Sequence, residues 1–155
     1  MCAKRSGRKG DGTLWEMTAF SVVEGSAFAE VLKEERGLSF WGGVDAQTGC
    51  VIDQRSKLCG QSLTGKILCM PQSKGSCSST GILLEMIRVG IAPSGFILCK
   101  AEGILAMGAV IGQELYGVDV PVYTVERENY DRIQDHQIMK MKQGKIYVFE
   151  KGEEL

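Results

Sequence analysis

The segment Ser73-Lys74-Gly75-Ser76-Cys77-Ser78-Ser79-Thr80 concentrates more reactive and anion-binding groups than any other stretch of this chain. It lies between an apolar run, Lys66-Ile67-Leu68-Cys69-Met70, that reads as a buried strand, and a helix-spaced run through Ile82, Leu83, Met86 and Ile87. A strand–loop–helix passage leaves backbone N–H groups without intrahelical partners and places the positive end of the helix dipole beside the loop. Such a position favours an anion, and glycine lets the ligand approach the main chain. Lys74 supplies a mobile positive charge and Gly75 the close approach. Ser76, Cys77, Ser78 and Ser79 supply the polar groups. A hydroxyl among these donors could hydrogen-bond a carboxylate or phosphate, or carry a proton if its alkoxide were stabilised. The simpler alternative is that Ser78 or Ser79 only caps the helix, a role worth about 1 kcal/mol.

A second feature is Phe40-Trp41-Gly42-Gly43-Val44-Asp45, where two large aromatics stand beside two glycines. One reading is a core tryptophan packed over close backbone. The others are a partner surface or the wall of a substrate cavity, with Asp45 polar at its edge. Glu102 and Gly103 open a second helix and read as its cap. His136 is the only histidine and sits in a polar segment, so a triad or multi-histidine metal site within this chain is excluded. No GxSxG elbow, GxxxxGK[ST] loop or GxGxxG fingerprint occurs. The six cysteines form no CxxC pair, which argues for free thiols and against a metal site built from this chain alone.

The elements that must hold these groups follow from patterning. Apolar positions alternate through Phe20, Val22, Ala27, Ala29 and Val31, with a break at Gly25-Ser26, as for one strand bending into a second. Residues Leu38 to Asp53 suggest an irregular hairpin. After the loop, a helix ending at Gly90, a strand Gly95 to Cys99, a helix Glu102 to Leu115 and a strand Val118 to Val125 alternate in the manner of parallel strands joined by helical crossovers. Gln137 to Met141 and Lys145 to Phe149 flank Gln143-Gly144 as a terminal hairpin. The expected fold is α/β, with mixed parallel and antiparallel strands. One domain is expected over 15–155, preceded by a flexible basic tail over 1–14.

With 155 residues, 44% hydrophobic and 24% charged, the chain can bury an ordinary core without disulfides. Eighteen basic against nineteen acidic side chains leave a net charge of −1, with no electrostatic footprint for a nucleic acid or a membrane surface. Neither an apolar signal core nor a spanning segment is present, so the expected location is the cytoplasm.

The stretches Leu38 to Asp45, Gly60 to Leu68, and Lys74 to Ser79 followed by Leu83-Leu84-Glu85 resemble, in order and spacing, the swivel domain or small subunit of aconitase X proteins. Ile104 to Ala109 with Glu114-Leu115-Tyr116-Gly117 does so too, and the resemblance covers roughly Ser21 to Val125. It implies a swivelling β/β/α domain that completes a shared site and does not catalyse alone. A large subunit would supply the iron–sulfur cluster and most substrate contacts, with no cofactor bound by this chain alone. By the same resemblance Ser76 is the catalytic base, assisted by Lys74 and Ser78. Lys74 and Cys77 depart from the arginine and serine common in the family, and lysine gives up bidentate anion recognition while keeping the charge. The family's small hydroxy-acid substrates are cis-3-hydroxy-L-proline and mevalonate 5-phosphate. The polar extension after Val125 and the six thiols favour the first, because they look unlike a compact chain from a heat-loving archaeon. The competing expectations are a non-catalytic interaction module on the same fold and a simple anion-binding domain.

Overall fold

A computed structural model describes residues 12–75 and 77–150. Residues 1–11 of the expected tail, and Ser76, lie outside the described residues. The strands are β1 (Trp15–Thr18), β2 (Phe20–Val23), β3 (Ala27–Lys33), β4 (Ile67–Cys69), β5 (Gly95–Leu98), β6 (Val122–Thr124), β7 (Ile138–Lys142) and β8 (Lys145–Phe149). The helices are α1 (Phe40–Gly43), α2 (Ser78–Val89), α3 (Gly103–Tyr116) and α4 (Arg127–Arg132). All eight strands join one sheet in the order β1-β8-β7-β3-β4-β5-β6-β2. β3, β4, β5 and β6 run parallel, and the flanking pairs are antiparallel. The expected mixed α/β architecture is therefore what forms.

β1 and β2 stand at opposite ends of the strand order, yet only Ala19 separates them in sequence. The sheet must therefore curl until its edges meet at Ala19, whose N–H donates to Gly144 O at 2.8 Å and extends the β1–β8 ladder. Curling encloses one face of the sheet. Met17, Val31, Cys69, Ile97, Tyr123, Met139 and Val148 form a core there, plugged by Tyr130 and Ile133 from α4 and the residue after it. The Tyr123 hydroxyl ties the closure by donating to Gly25 O at 2.9 Å. Burial pushes the Cys69 thiol far above its ordinary value.

The opposite face carries α2 and α3. Leu83, Met86 and Ile87 of α2 are buried, matching the apolar spacing in the sequence. Leu105, Gly108, Ala109 and Gly112 form the buried stripe of α3, and small residues at this seam let the helices approach closely. A Cβ on Gly108 would lie 3.1 Å from Leu83 Cδ2, and one on Gly112 2.6 Å from Ile87 Cδ1. With both faces covered, β4 and β5 are buried at every residue, which is why they read as continuous apolar runs. No helix among the described residues is long and apolar enough to cross a membrane.

Some elements differ from expectation: β1 was not expected as a strand, and β6 spans Val122–Thr124 rather than Val118 to Val125. In the irregular hairpin of 38–53, Phe40–Gly43 makes one distorted helical turn, with Gly42 at φ 80°, and pairing is limited to isolated bridges Val44↔Val51 and Cys50↔Ser62. α4 carries polar residues on most positions and buries only Tyr130, so no apolar period announces it. The N-cap of α2 is Cys77, without a side-chain cap, so neither Ser78 nor Ser79 caps the helix. The other cap behaves as expected, the Glu102 carboxylate accepting from Ile104 N–H at 2.5 Å and Leu105 N–H at 3.2 Å. The terminal hairpin also forms as expected, with Gln143 at φ 51° and Gly144 at φ 74° in the turn.

Candidate functional site

Parallel strands deliver their loops to one edge, outside the carboxyl ends of the strands, where ligands bind in open α/β sheets. Here that edge receives the exits of β3 and β4, which run side by side. The exit of β3 leads through Glu34-Glu35-Arg36-Gly37-Leu38-Ser39 to α1, and the exit of β4 leads through Lys74 and Gly75 to α2. The two loops lie against each other. Ser39 and Lys74 form a parallel bridge, and Lys74 N–H donates to Leu38 O at 3.4 Å. Gly37 is required by this contact, because a Cβ there would lie 2.6 Å from Gln72 O and 2.7 Å from Lys74 Cγ.

Gly75 has φ +109°, a conformation L side chains rarely adopt, and a Cβ on it would collide with Ser39 Oγ and stand 3.1 Å from Ser79 Oγ. The space a side chain would need just before Ser76 is thus taken by two hydroxyls. Ser79 is buried, and its Oγ accepts the N–H of Trp41 at 3.3 Å. Ser39 Oγ donates to Trp41 O at 2.9 Å. Thr80 Oγ1 donates to Ile104 O at 2.9 Å, fastening the start of α2 to the start of α3. Two of the loop's hydroxyls therefore knit neighbouring segments together, while Lys74, Gly75, Cys77 and Ser78 are exposed at the start of the helix.

The aromatic pair divides its work. Phe40 is fully buried against Phe96, with ring centroids 5.6 Å apart, whereas Trp41 is 62% exposed beside the start of α2. The core aromatic is thus Phe40, and the tryptophan faces outward. Gly42 is exposed, and buried Gly43 accepts Ile52 N–H through its carbonyl at 2.9 Å. Asp45 stands apart from the loop. It closes a turn in which its carboxylate accepts Gln47 N–H at 2.8 Å and its carbonyl accepts Gly49 N–H at 2.8 Å. Gly49 packs on Thr64 and Ile91, just beyond the far end of α2.

Sequence reasoning missed the residues brought to this edge from other segments: Glu34, Arg36, Ser39, Asp53, Arg55 and Ser56. Together with Gly37 and Lys74 they line a small cleft beside the loop. Glu34 is only 3% exposed. Its Oε1 accepts the N–H groups of Glu35 and Arg36 at 3.0 and 3.2 Å, and Ser56 Oγ donates to its Oε2. The Arg55 N–H holds the Asp53 carboxyl below its ordinary value, and the charges of Arg55 and Lys74 add to the effect. A buried acid just past a strand end was the only local signal for this cluster. A larger groove on the β7–β8 hairpin, lined by Phe28, Lys140, Lys145, Tyr147 and Phe149, carries none of the candidate residues.

Among the described residues, no group of three or more His, Cys, Asp or Glu side chains converges where it could hold a metal ion.

Comparison with known proteins agrees with this geometry. The aconitase X swivel domain family matches over residues 16–149, wider than the stretch that carried the resemblance in sequence. A cis-3-hydroxy-L-proline dehydratase from Pseudomonas aeruginosa is 37% identical over 126 residues, which cover 81% of this chain and 22% of that protein. This chain thus spans about a fifth of that relative's length. A phosphomevalonate dehydratase small subunit from Methanopyrus kandleri is 38% identical over 123 residues, covering 79% of this chain and 87% of that one. In three dimensions the chain is similar to aconitase X of Thermococcus kodakaraensis, solved as the holo-form, with a TM-score of 0.79, 30% identity, and coverage of 88% of this chain and 99% of that one. Motif order, strand topology and the loop at the parallel-strand edge converge with these matches: the chain belongs to the aconitase X swivel domain family.

Proposed function

We propose that this chain is the small, swivel-domain subunit of a hydro-lyase that removes water from a small hydroxy acid, active only when a large subunit completes the site. The observation that carries the proposal is the loop leading into α2, where the packing of Ser39 and Ser79 leaves room for nothing larger than glycine just before Ser76. A base that must meet one C–H bond needs such close packing, because small displacements cost large factors in rate. Ser76 takes the proton from the carbon next to the substrate carboxylate. The C–H electron pair forms the new double bond as the C–O bond breaks, and the departing hydroxide leaves as water by taking up one proton, which balances the one Ser76 removed. A serine hydroxyl is a weak base, so its alkoxide depends on the start of α2, the charge of Lys74 and exclusion of water by the partner. Lys74 and Ser78 orient the anionic substrate, with Gly75 and Cys77 shaping its path and buried Ser79 holding Trp41 beside it.

The iron–sulfur cluster of this proposal is held by the large subunit and supplies Lewis acidity toward the leaving hydroxyl. Exposed Trp41, with Phe40, Gly42 and Gly43 behind it, meets that subunit at the rim of the shared cavity. Relatives named for hydroxyproline and for phosphomevalonate match at 37% and 38% identity, so this likeness favours neither substrate.

The test is co-expression with the candidate large subunit and assay of both acids. The complex turns over one of them and the isolated chain neither, while Ser76→Ala abolishes turnover with the complex still assembled. Normal turnover by that variant removes Ser76 from the mechanism.

A further inference from the structure

We propose that the cleft between the exits of β3 and β4 is an anion subsite in which Arg36, Lys74 and Arg55 hold a dianionic phosphoryl group of the substrate. This deepens the dehydratase reading and rests on it for the identity of the substrate.

Three cations from three separate segments line a cleft of about 80 Å³, room for one tetrahedral anion. Like charges repel when brought together, and here the carboxylates of Glu34 and Asp53 offset part of that repulsion. The cleft's two carboxylates are already engaged. Both oxygens of Glu34 accept hydrogen bonds, from the N–H groups of Glu35 and Arg36 and from Ser56. Asp53 Oδ1 accepts the N–H of Arg55 at 3.0 Å and its Nε at 3.4 Å. Among the described residues neither the Arg36 guanidinium nor the Lys74 ammonium has an ion-pair partner within salt-bridge distance, and three cations against two carboxylates leave the cleft a net charge of +1 toward an anion.

The cleft is also built rather than incidental. Buried Glu34 fixes the backbone that carries Arg36 through that residue's own N–H, and its bond from Ser56 ties the 53–58 loop to the same point. The Ser39–Lys74 bridge sets the third wall one residue from Gly75. Arginine is suited to the planar, paired recognition of phosphoryl oxygens, and Lys74 adds a point charge. An imino acid carries an ammonium that two unpaired cations would repel. A phosphorylated hydroxy acid instead seats its phosphoryl group here and extends its carboxylate end toward Ser76.

The full chain, ¹⁵N-labelled, is titrated with inorganic phosphate and, separately, with acetate. Phosphate is expected to move the amides of residues 34–37, 53–56 and 72–75, to bind more tightly than acetate, and to weaken by about tenfold in Arg36→Gln, the loss of one charge-assisted hydrogen bond. Shifts elsewhere only, equal affinity for acetate, or unchanged binding in Arg36→Gln each overturn the subsite. In the assembled enzyme Arg36→Gln raises KM for mevalonate 5-phosphate about tenfold with kcat within about twofold, the pattern of lost uniform binding. A complex that prefers cis-3-hydroxy-L-proline overturns the phosphoryl assignment. Phosphate seated in the cleft of a chain whose complex dehydrates neither acid sustains the subsite and sinks the dehydratase reading.

Discussion

Replacing Gly75 by alanine forces a Cβ into the tightest point of the candidate site, and the cost can be worked from two sources. The backbone at φ +109° penalises any L side chain, by about 1–3 kcal/mol for a sparsely populated conformation. The new methyl would also overlap Ser39 Oγ and lie 3.2 Å from Ser39 Cβ and 3.1 Å from Ser79 Oγ. Overpacking of this kind costs about 1–3 kcal/mol where the surroundings cannot yield. The loop is exposed and gives way in part, so the expected loss is about 2–3 kcal/mol, measured by urea unfolding of the full chain. Ser39→Ala separates the two sources. Alone it loses the hydrogen bond to Trp41 O, about 1 kcal/mol. Combined with Gly75→Ala it removes the overlapping oxygen and leaves the backbone penalty, so the double variant is more stable than the sum of the singles predicts by about 1 kcal/mol. Gly75→Ala as stable as the parent, or strict additivity in the double variant, would refute the claim that close approach to Ser39 demands glycine here. In the assembled enzyme the same substitution lowers kcat far more than stability, because relief comes from moving the residue before Ser76.

Leu83→Ala empties a fully buried position at the α2–α3 seam against Gly108 and should cost about 2–5 kcal/mol in the same unfolding assay. Thiol labelling of the native chain, read by mass spectrometry at short times, should modify exposed Cys59 and Cys77 and spare Cys69, whose thiol burial holds protonated and covered. Early modification of Cys69 would show that the closed core opens readily. The hydrogen bond from His136 Nδ1, 3.0 Å away, holds the Glu30 carboxyl below its ordinary value of 4.5, with Lys66 assisting. A depressed carboxyl stabilises the fold above its unfolded value and loses that contribution as pH falls through the folded value. Stability of the parent should therefore drop on acidification below about pH 4.5 more steeply than that of Glu30→Gln, in denaturant midpoints measured across that range.

Much of the element list was legible because its signals are local. The apolar spacing of Leu83, Met86 and Ile87, the glycine at position 90, and the Gln143-Gly144 turn each act within one or two turns of chain. α4 gave no such signal, since its one buried side chain, Tyr130, owes its place to a distant partner, donating its hydroxyl to Glu34 O at 2.6 Å. The capping serines were misjudged for a related reason. A hydroxyl at a helix start is free to serve another segment, and Ser79 serves Trp41. The loop 73–80 was legible as a cluster of reactive types, but its wall was not: Arg36 and Arg55 look like ordinary surface arginines until the chain folds.

By itself the sequence determined the alternation of strands and helices, the character of the loop before α2, and the family motifs, because residue type and spacing govern them. Tertiary structure alone decided that β1 and β2, joined through Ala19, close the sheet into an enclosed core. It alone placed Phe40 inside and Trp41 outside, and brought residues 36, 55 and 74 to one cleft. These outcomes depend on which strands pair and in what order. Strand pairing is a competition among segments far apart in the chain, which no local pattern records.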